Sequence, residues 1–244
     1  MKNNYGLKGA ILLLLTGLMI SPLKLIARED GSSSPISTGG DLVSSYLWRG
    51  TKFGTGPAIQ PFLELVLGNF TAGGWGSYCF TTNEGAEADL YLSYGFDFGL
   101  SVGITDYYFP GSTSIDSTGS FSYEGSNYFD FSTASGAHAL ELNLGYEIGG
   151  LSVAANYFLN EAGGAGNGGG DIYLELGYSF DSFGLVLGAG NGWHTPEGEF
   201  TICNIGVTTG TELKISDSFS LPLSGAMILN PATEQFHVVV GVSF

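Results

Sequence analysis

Residues 140–148 read LELNLGYEI, apolar and polar in strict alternation. Leu140, Leu142, Leu144, Tyr146 and Ile148 share one face of an extended strand, and Glu141, Asn143, Gly145 and Glu147 share the other. A beat of two residues belongs to a strand, because a helix would repeat its apolar positions about every 3.6 residues. The same pattern returns at 89–96, 100–105 and 172–180, and more weakly at 41–50, 58–69, 71–81, 151–160, 184–193, 202–214 and 218–229. It closes the chain at 236–244, FHVVVGVSF. Segments of about ten residues match a tilted strand crossing a bilayer. Nothing helical is available to cover so many dry faces. The expectation is an all-β fold, a transmembrane antiparallel up-and-down β-barrel of twelve strands, with ten and fourteen as the neighbouring even counts. In such a barrel the last strand pairs back onto the first and no edge stays open.

The connections have their own order. Short ones fall near 68–71, 95–99, 149–151, 181–184 and 216–219, and longer ones near 51–57, 82–88, 109–137, 160–170, 194–201 and 230–235. They alternate long and short, as periplasmic turns and outer loops do, and this places both termini in the periplasm. The stretch 109–137 is too long for a plain connection. It either folds into the lumen or stands outside as an extra hairpin.

Composition supports export and a lipid environment. The chain is 43% hydrophobic but only 12% charged, with 40 glycines and 14% aromatics. Lys2 and Lys8 precede a short apolar run at 10–20, and Ala27 is a cleavage candidate, although Leu25 stands where a small residue is preferred. The reading is a signal peptide over 1–27, a short polar leader over 28–38 and a barrel over 39–244. An uncleaved anchor helix is the alternative, but the run is shorter than the ~20 residues that a spanning helix needs. The address is the outer membrane of a Gram-negative bacterium. An exported chain permits a disulfide between its two cysteines, Cys79 and Cys203. Tyr94, Phe96, Phe180 and Phe244 near the short turns, and Tyr107, Tyr108, Phe109, Phe158 and Trp193 near the long loops, are candidate interfacial girdles.

Beyond Arg28 the only bases are Arg49, Lys52 and Lys214, against 23 acids. Nucleic acid is excluded as a partner, since phosphates need cations. A charge facing lipid is costly, roughly 2–4 kcal/mol for a midplane base and less for an acid. The strand polar faces therefore turn Arg49, Glu64, Asp89, Glu141, Glu147, Glu175, Glu212, Lys214 and His237 inward as lumen or constriction candidates. Arg49 is expected to pair with carboxylate. Two outcomes stay open. One is a porin-like channel for small cations or neutral solutes. The other is a non-conducting barrel filled by its own side chains, because lumen width grows with strand number and twelve lies between packed and open. In the outer loops Glu84, Glu87, Asp116, Glu124, Asp130, Glu161, Glu197, Glu199 and Glu234 could bridge through divalent cations to lipopolysaccharide.

Catalysis and cofactors find little support. Residues 99–103, GLSVG, match a nucleophile-elbow pattern, but that pattern needs a strand, a sharp turn and a helix, and this stretch lies inside a strand. The glycine run at 163–171 is one imperfect copy of a calcium-binding repeat that works in stacked arrays. His138, His194 and His237 are too scattered for a metal site. A rim-active hydrolase using His194, near Thr195 and Glu197, is the minor alternative. No enzyme activity, cofactor or metal is expected.

The stretch 41–61, DLVSSYLWRGTKFGTGPAIQP, resembles the opening motif of the TorF-type porin family, also catalogued as Gcw_chp. The likeness rests on Ser44, Tyr46, Trp48, Arg49 and Gly50, then on Gly56 to Pro61, and at the other end on Leu229, Asn230 and Pro231 followed by VVVGVSF. It implies an outer-membrane barrel of the porin kind. Its partners would be outer-membrane lipid, lipopolysaccharide, small solutes and, through Phe244, the barrel-assembly machinery.

Overall fold

The structure is a computed structural model that describes residues 34–81, 85–115, 121–217 and 219–244. The expected signal peptide and most of the polar leader lie outside these residues, as do Glu84 and Asp116.

In chain order the strands are β1 (Ile36–Val43), β2 (Tyr46–Trp48), β3 (Thr51–Phe53), β4 (Ala58–Leu67), β5 (Phe70–Cys79), β6 (Glu87–Gly95), β7 (Leu100–Tyr108), β8 (Gly111–Ile115) and β9 (Phe121–Gly125). They continue as β10 (His138–Ile148), β11 (Leu151–Phe158), β12 (Ile172–Ser179), β13 (Gly184–Gly190), β14 (Thr201–Lys214), β15 (Ser220–Asn230) and β16 (Gln235–Ser243). Twelve of them close one antiparallel barrel, while β2–β3 and β8–β9 form separate two-stranded sheets. The seam joins the ends of the chain: Asp41 lies opposite Ser243 and Val43 opposite Gly241. Gly40 and Phe244 extend it by exchanging both backbone hydrogen bonds.

Each strand sorts its residues by parity. On β12, Leu176 is 48% exposed on the outer face while Tyr173 is 2% exposed on the inner one. Leu90, Leu92, Leu174, Leu187, Met227, Val238 and Val240 extend the same apolar outer surface around the barrel. Close-set rings end it on the short-turn side: Phe70 packs on Tyr94 and Phe180 on Phe183 with centroids 4.7 and 4.5 Å apart.

The first strand differs most from the sequence reading, at both of its ends. β1 starts at Ile36, so residues 36–38 of the expected leader are barrel wall. It also ends at Val43, and residues 46–53 leave the wall as the β2–β3 hairpin. The reason is local. Tyr46, Leu47 and Trp48 are three large apolar residues in a row, so no single face can take them, and all three are buried. Arg49 and Gly50 then turn the chain with positive φ of 50° and 85°. The 109–137 stretch contains the β8–β9 hairpin, and His138 anchors the segment after that hairpin. Its ring nitrogens meet the Asp106 carboxylate at 2.9 Å and the Tyr128 carbonyl at 2.7 Å.

A hairpin-filled lumen as the candidate functional site

The inward row of the wall runs Glu64, Gly73, Tyr91, Thr105, Glu141 and Phe158 on neighbouring strands. Gly73 lets the Tyr91 ring cross it; a Cβ there would stand 2.5 Å from the Tyr91 hydroxyl. Tyr91 thereby reaches over to donate to Glu64 at 2.6 Å. Gly188 makes the same room for Tyr173, which donates to Glu175 at 2.6 Å. Tyr107 donates to Glu141 at 3.0 Å and Tyr46, on the hairpin, to Glu87 at 2.9 Å. In a chain so short of bases, these four lumen glutamates thus accept from neutral phenols. A buried acid needs donors more than it needs a countercharge.

Arg49 is the exception. Its two terminal nitrogens donate to the two oxygens of Glu141 at 2.6 and 2.8 Å, with both side chains almost fully buried. The guanidinium lies 4.5 Å from the ring centroids of both Trp48 and Tyr173. Asn143 also donates to Glu141, at 2.7 Å, and is itself fixed by Asn156 at 3.0 Å. Burial alone would disfavour the charged guanidinium, but the Glu141 carboxylate outweighs it and holds Arg49 above the ordinary arginine range. Breaking such a pair strands a buried charge, so it locks the hairpin in place.

Around the pair the hairpin is wedged by rings. Trp48 contacts Tyr107 at 5.8 Å, Trp193 at 6.0 Å and His194 at 5.1 Å, and Tyr46 contacts Trp75 at 5.6 Å. Tyr107 and Phe158 are 1% and 0% exposed. These two residues, with Trp193, therefore pack the lumen rather than girdle the outside. A bulge at Gly188 and Ala189 admits the extra residue Cys203 to the interior, where its carbonyl abuts Gly50. Cys203 and Cys79 are both free thiols, and the disulfide is not formed.

The remaining candidates separate by depth. Asp89 is buried beside Glu87, which opens β6 on the lumen face and is not an outer-loop acid. Glu147 and Glu175 face the lumen below the hairpin and are partly accessible, while Glu212 is exposed toward the short-turn end. His237 is on the lumen face of β16. Lys214 ends β14 and pairs with Asp217 at 2.8 Å in an exposed turn, so it plays no part in a constriction. His194 is 2% exposed, and neither ring nitrogen has a hydrogen-bond partner among the described residues. Burial, and then the Arg49 charge, push its pKa down to about 2. Ser101 is buried in β7 and donates to the Gly145 carbonyl at 3.4 Å. Among the described residues no three His, Cys, Asp or Glu side chains converge as a metal site.

Reading by strand face alone missed Tyr46, Trp48, Tyr91, Asn143 and Tyr173 as site residues. The signal for the hairpin was present as the break in alternation at 46–50.

No family model and no curated protein matches the chain. Among solved structures it is similar to a substituted porin of Rh. blastica, with 11% identity and a TM-score of 0.38, over 77% of this chain and 55% of the porin. The chain thus spans about half the length of that porin. It is also similar to outer membrane phospholipase A from Escherichia coli, with 13% identity and a TM-score of 0.39, over 88% of this chain and 93% of the phospholipase. An active-site variant of the same phospholipase matches at 14% identity and a TM-score of 0.40.

Proposed function

We propose that the protein is an outer-membrane channel of the porin kind, held closed at one end by its own 46–53 hairpin, and that it passes small cations or neutral solutes when the hairpin moves aside. The observation that carries this reading is the asymmetry of the lumen. At the hairpin level the inward positions are large and buried: Tyr46, Trp48, Tyr107, Phe158 and Tyr173. Toward the short-turn end several are small or acidic and partly accessible, namely Ser93, Glu147, Ser152, Ala154, Glu175 and Ser179, while Val186, Ala226 and Ile228 form a buried apolar cluster on β13 and β15. Serines and acids left partly accessible inside the wall are the lining that a conducting lumen uses. The acids favour cations. The apolar outer surface and the resemblance to TorF-type porins support the membrane address and the porin class.

The competing reading is a non-conducting structural barrel, favoured by the depth at which Arg49 and Glu141 are buried. Planar-bilayer recording separates the two. The intact chain should give rare, brief steps, and a chain lacking residues 46–53 should give sustained cation-selective current. A folded deletion variant that carries no current would leave the structural reading. We read the protein as a non-enzyme, and the enclosure of His194 by rings supports this.

A further inference from the structure

Apart from Arg49, the groups that bond Glu141 come from the barrel wall. Glu141 is on β10, Tyr107 on β7, Asn143 on β10 and Tyr173 on β12. Tyr107 and Asn143 both donate to the Glu141 Oε2, and Thr105 donates to the Asn143 Oδ1 at 2.7 Å. The carboxylate is therefore oriented by wall residues alone. Its two oxygens face a flat cation edge-on, and the Tyr173 ring covers that cation at 4.5 Å. Two parallel N–H bonds to one carboxylate, with a ring over the plane, are a guanidinium pattern; an ammonium is a point charge and cannot make the fork. On β10 and β12, Glu147 and Glu175 are partly accessible acids of the lumen face.

We propose that this wall site binds the guanidinium group of a small solute, and that Arg49 is a tethered occupant which keeps the site, and the lumen, closed until such a solute displaces it. The proposal names a solute class for the channel reading and rests on that reading for its role in transport; the binding site itself does not depend on current. Arg49 is held at the tip of a hairpin with three residues in each strand, so a solute that takes its place releases that hairpin as a unit. Trp48 leaves with it, so the Tyr173 ring is the face that remains for a solute.

The test uses the full-length chain in detergent with Arg49→Ala, titrated with methylguanidinium and with methylammonium at matched ionic strength. Tryptophan fluorescence and the heat-modifiable mobility shift are the readouts. Methylguanidinium should bind saturably and at least ~10-fold more tightly than methylammonium, as expected for a charge-assisted fork against a point charge. Adding Glu141→Gln should remove the preference. Equal binding of both cations, or a preference that survives Glu141→Gln, would overturn the proposal. If Arg49→Ala does not fold, Arg49→Gln is titrated in its place; if neither folds even with methylguanidinium present, Arg49 is only a structural pin and the proposal fails. Bilayer current on the same protein separates the two readings. Guanidinium binding without current keeps the site and ends the channel reading. Current without guanidinium preference does the reverse.

Discussion

Asn230 donates from its side-chain nitrogen to the backbone carbonyl of Gly50 at 3.2 Å, across 180 positions of sequence. Its side-chain oxygen accepts from the backbone of Ala232 at 3.0 Å and Thr233 at 3.2 Å. One fully buried amide thus shapes the turn between β15 and β16 and clasps the tip of the lumen hairpin. The two stretches that carried the family resemblance, around Trp48-Arg49-Gly50 and Leu229-Asn230-Pro231, meet at this bond.

Asn230→Ala should loosen that clasp. It leaves the Gly50 carbonyl and two turn amides without their partner, a cost of about 1–3 kcal/mol. Hydrogen exchange at residues 46–53 should accelerate while the strand amides stay protected. Unchanged protection of the hairpin would show that the clasp is idle.

Gly50→Ala should undock the hairpin without dissolving the barrel. Gly50 has a φ of 85°, and a Cβ there would run into the Cys203 carbonyl. Cys203 is 0% exposed beneath it. In a Cys79→Ser background, Cys203 should become reactive to an aqueous maleimide in the variant and stay inert in the parent.

Glu141→Gln should cost roughly 3–5 kcal/mol, because it leaves Arg49 buried without its counter-ion. The double change Arg49→Met with Glu141→Leu should recover most of that stability, since an apolar pair needs no desolvation. Urea unfolding of the parent, Glu141→Gln and the double variant in micelles makes the comparison. A double variant as unstable as Glu141→Gln would mean that packing rather than charge dominates the site.

His194 gives a pH dependence of definite sign. Its folded pKa is lowered to about 2, below the ordinary histidine value near 6.5. Between those values the unfolded chain binds the proton and the folded chain does not, so stability rises with pH. The contribution is fully present above about pH 6.5 and is lost as pH falls toward the folded value, by about 1.4 kcal/mol per unit. His194→Phe should flatten this slope in denaturant titrations at pH 4 to 7. An equal slope in both chains would assign the effect to the carboxylates.

Leu176→Arg tests the surroundings of the outer face. Leu176 is 48% exposed at the middle of β12. On a water-facing surface this change falls within about 0.5 kcal/mol of neutral. Facing lipid it costs about 2–4 kcal/mol. Unfolding from vesicles with and without the substitution decides between the two.

The wall of this protein was legible in the sequence because each strand states its own orientation. Leu140, Leu142 and Leu144 face out, and Glu141, Asn143 and Gly145 face in, whatever the neighbouring strand contains. The boundaries that misled, 41–50 for the first strand and the rim assignment of Tyr107, Phe158 and Trp193, share one cause. A large aromatic at the end of a strand looks the same whether it meets lipid headgroups or a hairpin packed in the lumen.

The chain alone determined an alternating antiparallel ring of about twelve strands, because alternation is a local code read by two solvents, one on each face of every strand. It also determined that carboxylates would crowd the interior with almost no bases to meet them. Only the tertiary structure decided how that crowding is relieved. Glu64, Glu87, Glu141 and Glu175 find phenols, and Arg49 finds Glu141 from 92 positions away, because inward glycines at 73 and 188 and the turn at Gly50 leave room for those side chains to reach. Such pairing depends on which residues the closed ring brings face to face, and a period along one strand carries no record of that.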